Sequence, residues 1–159
     1  MKYCGMVIIL ISALMISKKY GAQRMRRLRE CEGFLAFISY MREKLSKYTF
    51  TVRELAEEFE SDALFSCGFL SALRSTDAKA AYLSVRGELE ISDMADEVLC
   101  EFFENFGGGY LDDEMRRICE AEERLVAIVK DERENAQKDI KVFGALFSAG
   151  GIGAVIILI

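Results

Sequence analysis

The chain has no histidine and no proline among its 159 residues. Without histidine it lacks the usual general base near neutral pH, every triad built on imidazole, and the ligand of most zinc and di-iron centres. Without proline nothing kinks or stops a helix by ring geometry, and with strong helix formers throughout the sequence predicts an all-α protein. Five cysteines, Cys4, Cys31, Cys67, Cys100 and Cys119, form an odd set with no close pair. That spacing indicates neither a disulfide framework nor a zinc site, and the thiols are expected to be small core or lipid-facing side chains.

The carboxyl-terminal end lacks charge of either sign, and the amino-terminal end lacks negative charge. No ionisable side chain follows Lys141, and no acid precedes Glu30. Residues 142–159, VFGALFSAGGIGAVIILI, are 18 in number. As a helix they extend about 27 Å, close to the hydrocarbon thickness of a bilayer. A helix apolar on every side cannot be covered by so small a domain, so a C-terminal transmembrane helix is expected there. The apolar run at residues 3–17, between Lys2 and Lys18-Lys19, gives only about 22 Å of helix and needs snorkelling lysines and local bilayer thinning to span. A secretory signal peptide has a similar charged start and apolar run. The basic residues directly after it, and bulky Tyr20 before the small pair Gly21-Ala22, oppose that reading. The expected layout is a transmembrane helix over 1–19, a cytoplasmic helical bundle over 20–141 and a transmembrane helix over 142–159.

A basic collar, Lys18, Lys19, Arg24, Arg26, Arg27 and Arg29, precedes the first acid, whereas the amino-terminal tail carries only Lys2. The positive-inside rule then places residues 18–141 in the cytoplasm and both ends across the membrane. Residues 30–141 hold all 26 acids and 14 bases, a net charge of −12. Such a body repels nucleic acid and avoids anionic lipid except at the collar, and its natural partner is a basic protein surface.

The apolar set Leu28, Cys31, Phe34, Leu35, Ile38, Met41 and Leu45 keeps a helical rhythm, so the first helix is expected to run through Gly21 to about Tyr48. Gly33 costs that helix about 1 kcal/mol relative to alanine, a cost accepted where another helix comes close. Thr51 and Glu54 have capping-box spacing before Leu55 and Phe59. Ser61 and Asp62 open a helix containing Leu64, Phe65, Phe69, Leu70 and Leu73, and Ser75-Thr76-Asp77 restarts the chain into a helix through Ala81, Tyr82 and Val85 to about Glu90. Ser92 caps the next, with Met94, Val98, Leu99, Phe102, Phe103 and Phe106 inward, and Gly107-Gly108-Gly109 ends it. Asp112 and Asp113 favour the start of the last helix, whose buried face is marked by Ile118, Leu125, Val129 and Ala136. The result is a bundle of about six helices in which the two transmembrane helices continue the two long helices, packed side by side.

Acid pairs at helical spacing, Glu54 with Glu57 and Glu101 with Glu104, are better explained as solvated surface than as divalent-ion ligands. The triple glycine lacks a preceding strand and a following Gly-Lys-Ser/Thr, so it terminates a helix rather than cradling a phosphate. No catalytic, metal or cofactor site is expected, and no small-molecule substrate. Small residues in the apolar ends carry a packing signal. Ala13, Ser17 and Gly21, then Gly144 with Ser148, Ala149 with Gly153 and Gly150 with Ala154, fall four apart and suit close helix approach in lipid.

Taken together, the apolar start, Arg26-Arg27-Leu28-Arg29 followed by Leu35 and Ile38, the Phe106-Gly107 break before a long charged helix, and the apolar tail resemble the stage III sporulation protein AB family over almost the whole length. The chain departs from that family in lacking a proline near Thr51 and in carrying Gly108, Gly109 and Tyr110 after the break. The resemblance implies a membrane platform component of the secretion-type channel between mother cell and forespore, required for endospore formation. It also implies a soluble domain similar to the cytoplasmic domains of type II secretion and type IV pilus platform proteins. By that analogy the domain engages a secretion-type ATPase, stage III sporulation protein AA, on the mother-cell side, and the spans meet other channel subunits. The acidic face at Glu57, Glu58, Glu101, Glu104, Glu120 and Glu123 is then the expected ATPase contact. The other reading is a membrane-anchored helical scaffold or regulator unrelated to secretion.

Overall fold

A computed structural model describes the backbone of residues 2–47 and 51–158, and the side chains of residues 19–46 and 51–139 with Ser12, Met15 and Val142. Its elements are α1 (Lys2–Lys47), α2 (Val52–Glu58), α3 (Asp62–Ser66), α4 (Phe69–Leu73), α5 (Ala78–Val85), a 3₁₀ turn (Arg86–Glu88), α6 (Asp93–Asn105) and α7 (Leu111–Leu158). No strand occurs among the described residues. The chain divides into two compact units, residues 1–25 with 132–159, and Arg26–Asp131.

In the first unit Arg24 joins α1 to α7. Its guanidinium reaches Glu132 at 3.7 Å and Asp139 at 3.1 Å on α7, with Ala136 buried on the same face between them. Among the described residues no helix is long and apolar enough to cross a membrane. The side chains of Ala13, Ser17, Gly144, Ser148, Ala149, Gly150, Gly153 and Ala154, on which the expected packing of spans rests, lie outside the described residues. Gly21 is described, and a Cβ added there meets nothing within 4 Å.

The second unit is built on an aromatic core carried by α1. Phe34 makes edge contacts with Phe69 at 5.0 Å, Tyr82 at 5.9 Å and Phe103 at 6.3 Å, and Phe37 does the same with Phe59 at 5.2 Å and Phe69 at 5.7 Å. Each such pair adds about 0.5–1.5 kcal/mol beyond the area it buries. Helices α4, α5 and α6 and the C-cap of α2 thereby converge on two side chains of one helix. Phe37 is absent from the apolar rhythm read along α1, yet it is fully buried, while Leu35 and Leu45 are only partly covered. The reason is that α1 has neighbours on two sides, so its buried stripe is wider than a single-face pattern.

Local signals set the shorter helices. The Thr51–Glu54 capping box is complete, with Glu54 N–H on Thr51 Oγ1 at 3.3 Å and Thr51 N–H on Glu54 Oε2 at 2.9 Å. Ser61 and Asp77 cap α3 and α5 through their side chains. The single helix expected through Leu64 and Leu73 is instead two. Gly68 adopts φ +81°, a conformation costly for any residue with a Cβ, and it turns the chain so that Phe69, Leu70 and Leu73 face the core. Gly107, at φ +96°, ends α6 as expected. Three other expectations are corrected. The α5 helix stops at Val85 and yields to the 3₁₀ turn before Glu90; Met94 lies outside the core at 59 % exposure; and Ser92 occupies the cap position without a side-chain bond, its Oγ buried and unpartnered.

Candidate functional site

The six acids proposed as a partner-facing surface are all exposed, but they do not form one uniform face. Glu57 stands on α2 beside Arg53 at 3.3 Å. Glu58 accepts from Lys44 Nζ at 2.6 Å and from the Tyr40 hydroxyl at 2.9 Å, both on α1. Lys44 first, then Tyr40, holds the Glu58 carboxyl below its ordinary value. Glu101 on α6 is paired with Arg124 on α7 at 2.6 Å, and Glu104 approaches Lys79 at 3.8 Å. Glu120 and Glu123 make no ion pair among the described residues. Exposed pairs of this kind contribute little stability, up to about 1 kcal/mol each, and their charge is screened by salt.

The antiparallel helices α6 and α7 enclose a groove of 320 Å³ with Val98, Phe102 and Ala121 as its floor. Glu101, Glu120, Arg116, Arg117 and Arg124 line its rim. Arg117 bridges it, with Nη1 donating to the Asn105 carbonyl at 2.8 Å and to Glu114 Oε1 at 3.0 Å. Glu101 and Glu120 therefore share one groove, while Glu57 and Glu58 sit on α2 with partners on α1 and α2.

The polar contacts that sequence reasoning missed are buried acids joining distant segments. Glu122, 8 % exposed, accepts from the Ser39 hydroxyl at 2.6 Å and pairs with Arg42 at 2.6 Å. Glu30, also buried, takes Arg26 Nε at 2.8 Å and the Glu90 backbone N–H at 2.7 Å, fastening the loop before α6 to α1. Glu114 accepts the Gly109 N–H at 2.9 Å, drawing the glycine loop onto α7. A signal for Glu122 exists in the sequence: it stands four after Ile118 and three before Leu125, a charge set within an apolar stripe.

The collar divides by use. Arg24 and Arg26 are committed to carboxylates, and Arg27 Nη2 reaches the Ile91 carbonyl at 3.4 Å. Lys19 and Arg29 are exposed, and the side chain of Lys18 lies outside the described residues.

The perturbed groups have structural causes. Tyr82 is buried under α6 and donates to Asp96 Oδ1 at 2.7 Å, so burial first and that carboxylate second push its phenol far above its usual range. Burial opposes ionisation of Asp96, but the Arg86 fork, at 2.9 Å and 2.6 Å, and the Tyr82 hydroxyl outweigh it and hold the carboxyl below its ordinary value. Burial likewise raises the Cys67 thiol, which makes it less nucleophilic. Among the described residues no group of three or more Cys, Asp or Glu is placed to hold a metal ion.

No curated protein and no solved structure matches the chain. The family model of stage III sporulation protein AB matches residues 2–159, over an all-helical fold whose Phe106-Gly107 break and long final helix stand where the sequence pattern put them. The chain belongs to that family of sporulation proteins.

Proposed function

We propose that this protein is a membrane-anchored platform subunit of the secretion-type channel between mother cell and forespore. It joins a cytoplasmic ATPase of the stage III sporulation protein AA kind to channel subunits in the membrane. The observation that carries this reading is a strongly acidic helical unit set between two uncharged apolar segments. Arg26–Asp131 holds 23 acids against 14 bases, and the two helices that open and close it, α1 and α7, are the ones whose sequences become uncharged over residues 3–17 and 142–159. Acidic surface charge of this density speeds association with a basic partner and makes the complex salt-sensitive. The role is structural rather than catalytic, in keeping with perturbed groups that are each explained by packing or pairing within the bundle.

Co-purification of the ATPase with the full chain from detergent-solubilised membranes tests the coupling. Binding at low salt that weakens steeply toward 0.5 M, within a Debye length of about 4 Å, is the expected result. Absence of binding at low salt removes the ATPase from the reading. Orientation is tested separately with Glu104→Cys and a membrane-impermeant thiol reagent. Labelling in intact cells, rather than only after permeabilisation, overturns the cytoplasmic placement.

A further inference from the structure

We propose that the groove between α6 and α7 receives the α2–α3 corner of a second copy of this chain, with Phe65 on its apolar floor and Glu57 and Glu60 against its arginines. The two surfaces differ, so the contact is heterologous, and it does not depend on which other proteins the platform engages.

The floor of the groove, Val98, Phe102 and Ala121, is apolar, and its 320 Å³ suits one aromatic side chain rather than a whole helix. Three of the 14 bases of Arg26–Asp131 stand around it, Arg116, Arg117 and Arg124, in a unit that holds 23 acids. Arg116 spends Nη2 on Asp113 at 3.1 Å, Arg124 spends Nη1 on Glu101 at 2.6 Å, and Arg117 spends Nη1 on the Asn105 carbonyl and Glu114. A guanidinium is a planar fork of several donors, so each keeps N–H groups for a further carboxylate. An apolar floor beneath such forks selects an aromatic anchor with acids beside it.

The chain itself displays that combination. Phe65, on the last turn of α3, is 62 % exposed. Glu57, Glu60 and Asp62 precede it, and all three are exposed. Glu57 has Arg53 at 3.3 Å in a pair whose side chains are 72 % and 55 % exposed, and Glu60 makes no ion pair among the described residues.

The two surfaces also match in height. Glu58 rests on Lys44 and Tyr40, and Ser61 Oγ lies 3.4 Å from the position a Cβ on Gly33 would take. The corner thus runs along residues 33–44 of α1, about 16 Å of helix. The α7 wall of the groove, from Arg116 to Arg124, is about 12 Å long. It is tied to the same stretch of α1, because Glu122 within it binds Ser39 and Arg42. Two copies side by side with α1 parallel bring corner and groove to one level, and opposite charges then face each other.

The test uses the full chain in detergent, with the photo-crosslinker p-benzoylphenylalanine at position 65 of one copy and a heavy-isotope label on the other. Capture of the heavy copy on α6 or α7, near Phe102 or Ala121, is the expected result. Capture elsewhere, capture within one copy alone, or no capture overturns the proposal. Charge reversal then separates contact from proximity. Arg116→Glu with Arg124→Glu, and separately Glu57→Lys with Glu60→Lys, are each expected to lower the yield of that crosslink at least about tenfold. Arg117 is left in place because it holds the Asn105 carbonyl. When the two variants are mixed, capture is expected to return, since the unaltered corner of one still fits the unaltered groove of the other. Undiminished capture by either variant alone, or no return on mixing two folded variants, overturns the proposal. If a variant unfolds, the site captured by position 65 in the otherwise unaltered chain decides the matter.

Discussion

Ser39 and Glu122 are 83 positions apart in the chain, yet the hydroxyl donates to the carboxylate at 2.6 Å. Arg42 pairs with the other oxygen at 2.6 Å, so one buried acid fastens α1 to α7 through a hydrogen bond and an ion pair. Removing a buried acceptor strands its donors, which costs about 1–3 kcal/mol where a charge is involved. Glu122→Ala is expected to lower unfolding free energy by about 2 kcal/mol and Glu122→Gln, which keeps the Ser39 bond, by about 1 kcal/mol. Denaturant unfolding of the full chain in detergent, followed by circular dichroism, checks the order. Equal losses for the two variants would show that the arrangement depends on the charge rather than on hydrogen-bond geometry.

The Tyr82–Asp96–Arg86 contact predicts an acid limb in stability. Asp96 is held below its ordinary carboxyl value in the folded chain. A depressed folded pKa gives stability that is fully present above the unfolded value, near 4, and lost as pH falls through the folded value beneath it. Asp96→Asn is therefore expected to be less stable than the unaltered chain at pH 6, with the difference narrowing as pH falls below the unfolded carboxyl value, flattening the acid limb. Tyr82→Phe leaves the Arg86 pair intact and is expected to cost about 1 kcal/mol at pH 6. A difference between Asp96→Asn and the unaltered chain that does not narrow as pH falls would locate the effect in packing and not in ionisation.

Much of this fold is visible in local pattern, because local pattern is what the chain uses for its ends and faces. The stripe Ile118, Leu125, Val129 and Ala136 is buried throughout, and the capping box at Thr51 forms with both of its bonds. What pattern misses depends on tertiary neighbours. Gly68 sits inside an apolar run that reads as one helix, and only the demand to point Phe69 and Leu73 at Phe34 and Phe37 makes its left-handed turn worthwhile. Met94 has core spacing but stands 59 % exposed on the first turn of α6. Glu30 and Glu114 are acids in an acidic sequence, and nothing but their partners distinguishes them from the solvated ones, whereas Glu122 is marked by its place within the apolar stripe of α7. The candidate interaction acids are legible as exposed, whereas their division between the α2 surface and the α6–α7 groove is not.

Gly33 and Gly21 lie on the same helix and predict opposite outcomes. A Cβ at Gly33 would sit 3.2 Å from Leu64 Cγ and 3.4 Å from Ser61 Oγ, where α3 crosses α1 closely, while one at Gly21 meets nothing. Replacing glycine by alanine in a helix interior gains about 1 kcal/mol of propensity. Gly21→Ala is expected to raise the stability of the detergent-solubilised chain by up to that amount. Gly33→Val adds branched bulk to a filled site and is expected to lower it by about 1–3 kcal/mol. A rise in melting temperature for Gly33→Val would mean that α3 moves aside without loss.

Charge at the acidic surface predicts a ranking among its residues. Glu101 already has Arg124 at 2.6 Å and Glu58 has Lys44 at 2.6 Å, so neutralising either acid removes a charge that its neighbour largely cancels and frees a base that repels a basic partner. Glu120 and Glu123 carry no such pairing among the described residues and contribute more directly to the field that a partner meets. Glu120→Gln with Glu123→Gln is thus expected to slow association with the proposed ATPase partner several-fold at low salt while leaving dissociation nearly unchanged, because peripheral charges act on encounter more than on the bound state. Raising ionic strength should erase the difference as the Debye length shrinks below about 8 Å. Surface plasmon resonance at two salt concentrations separates the rates. An effect confined to dissociation would place these two acids inside the contact instead of around it.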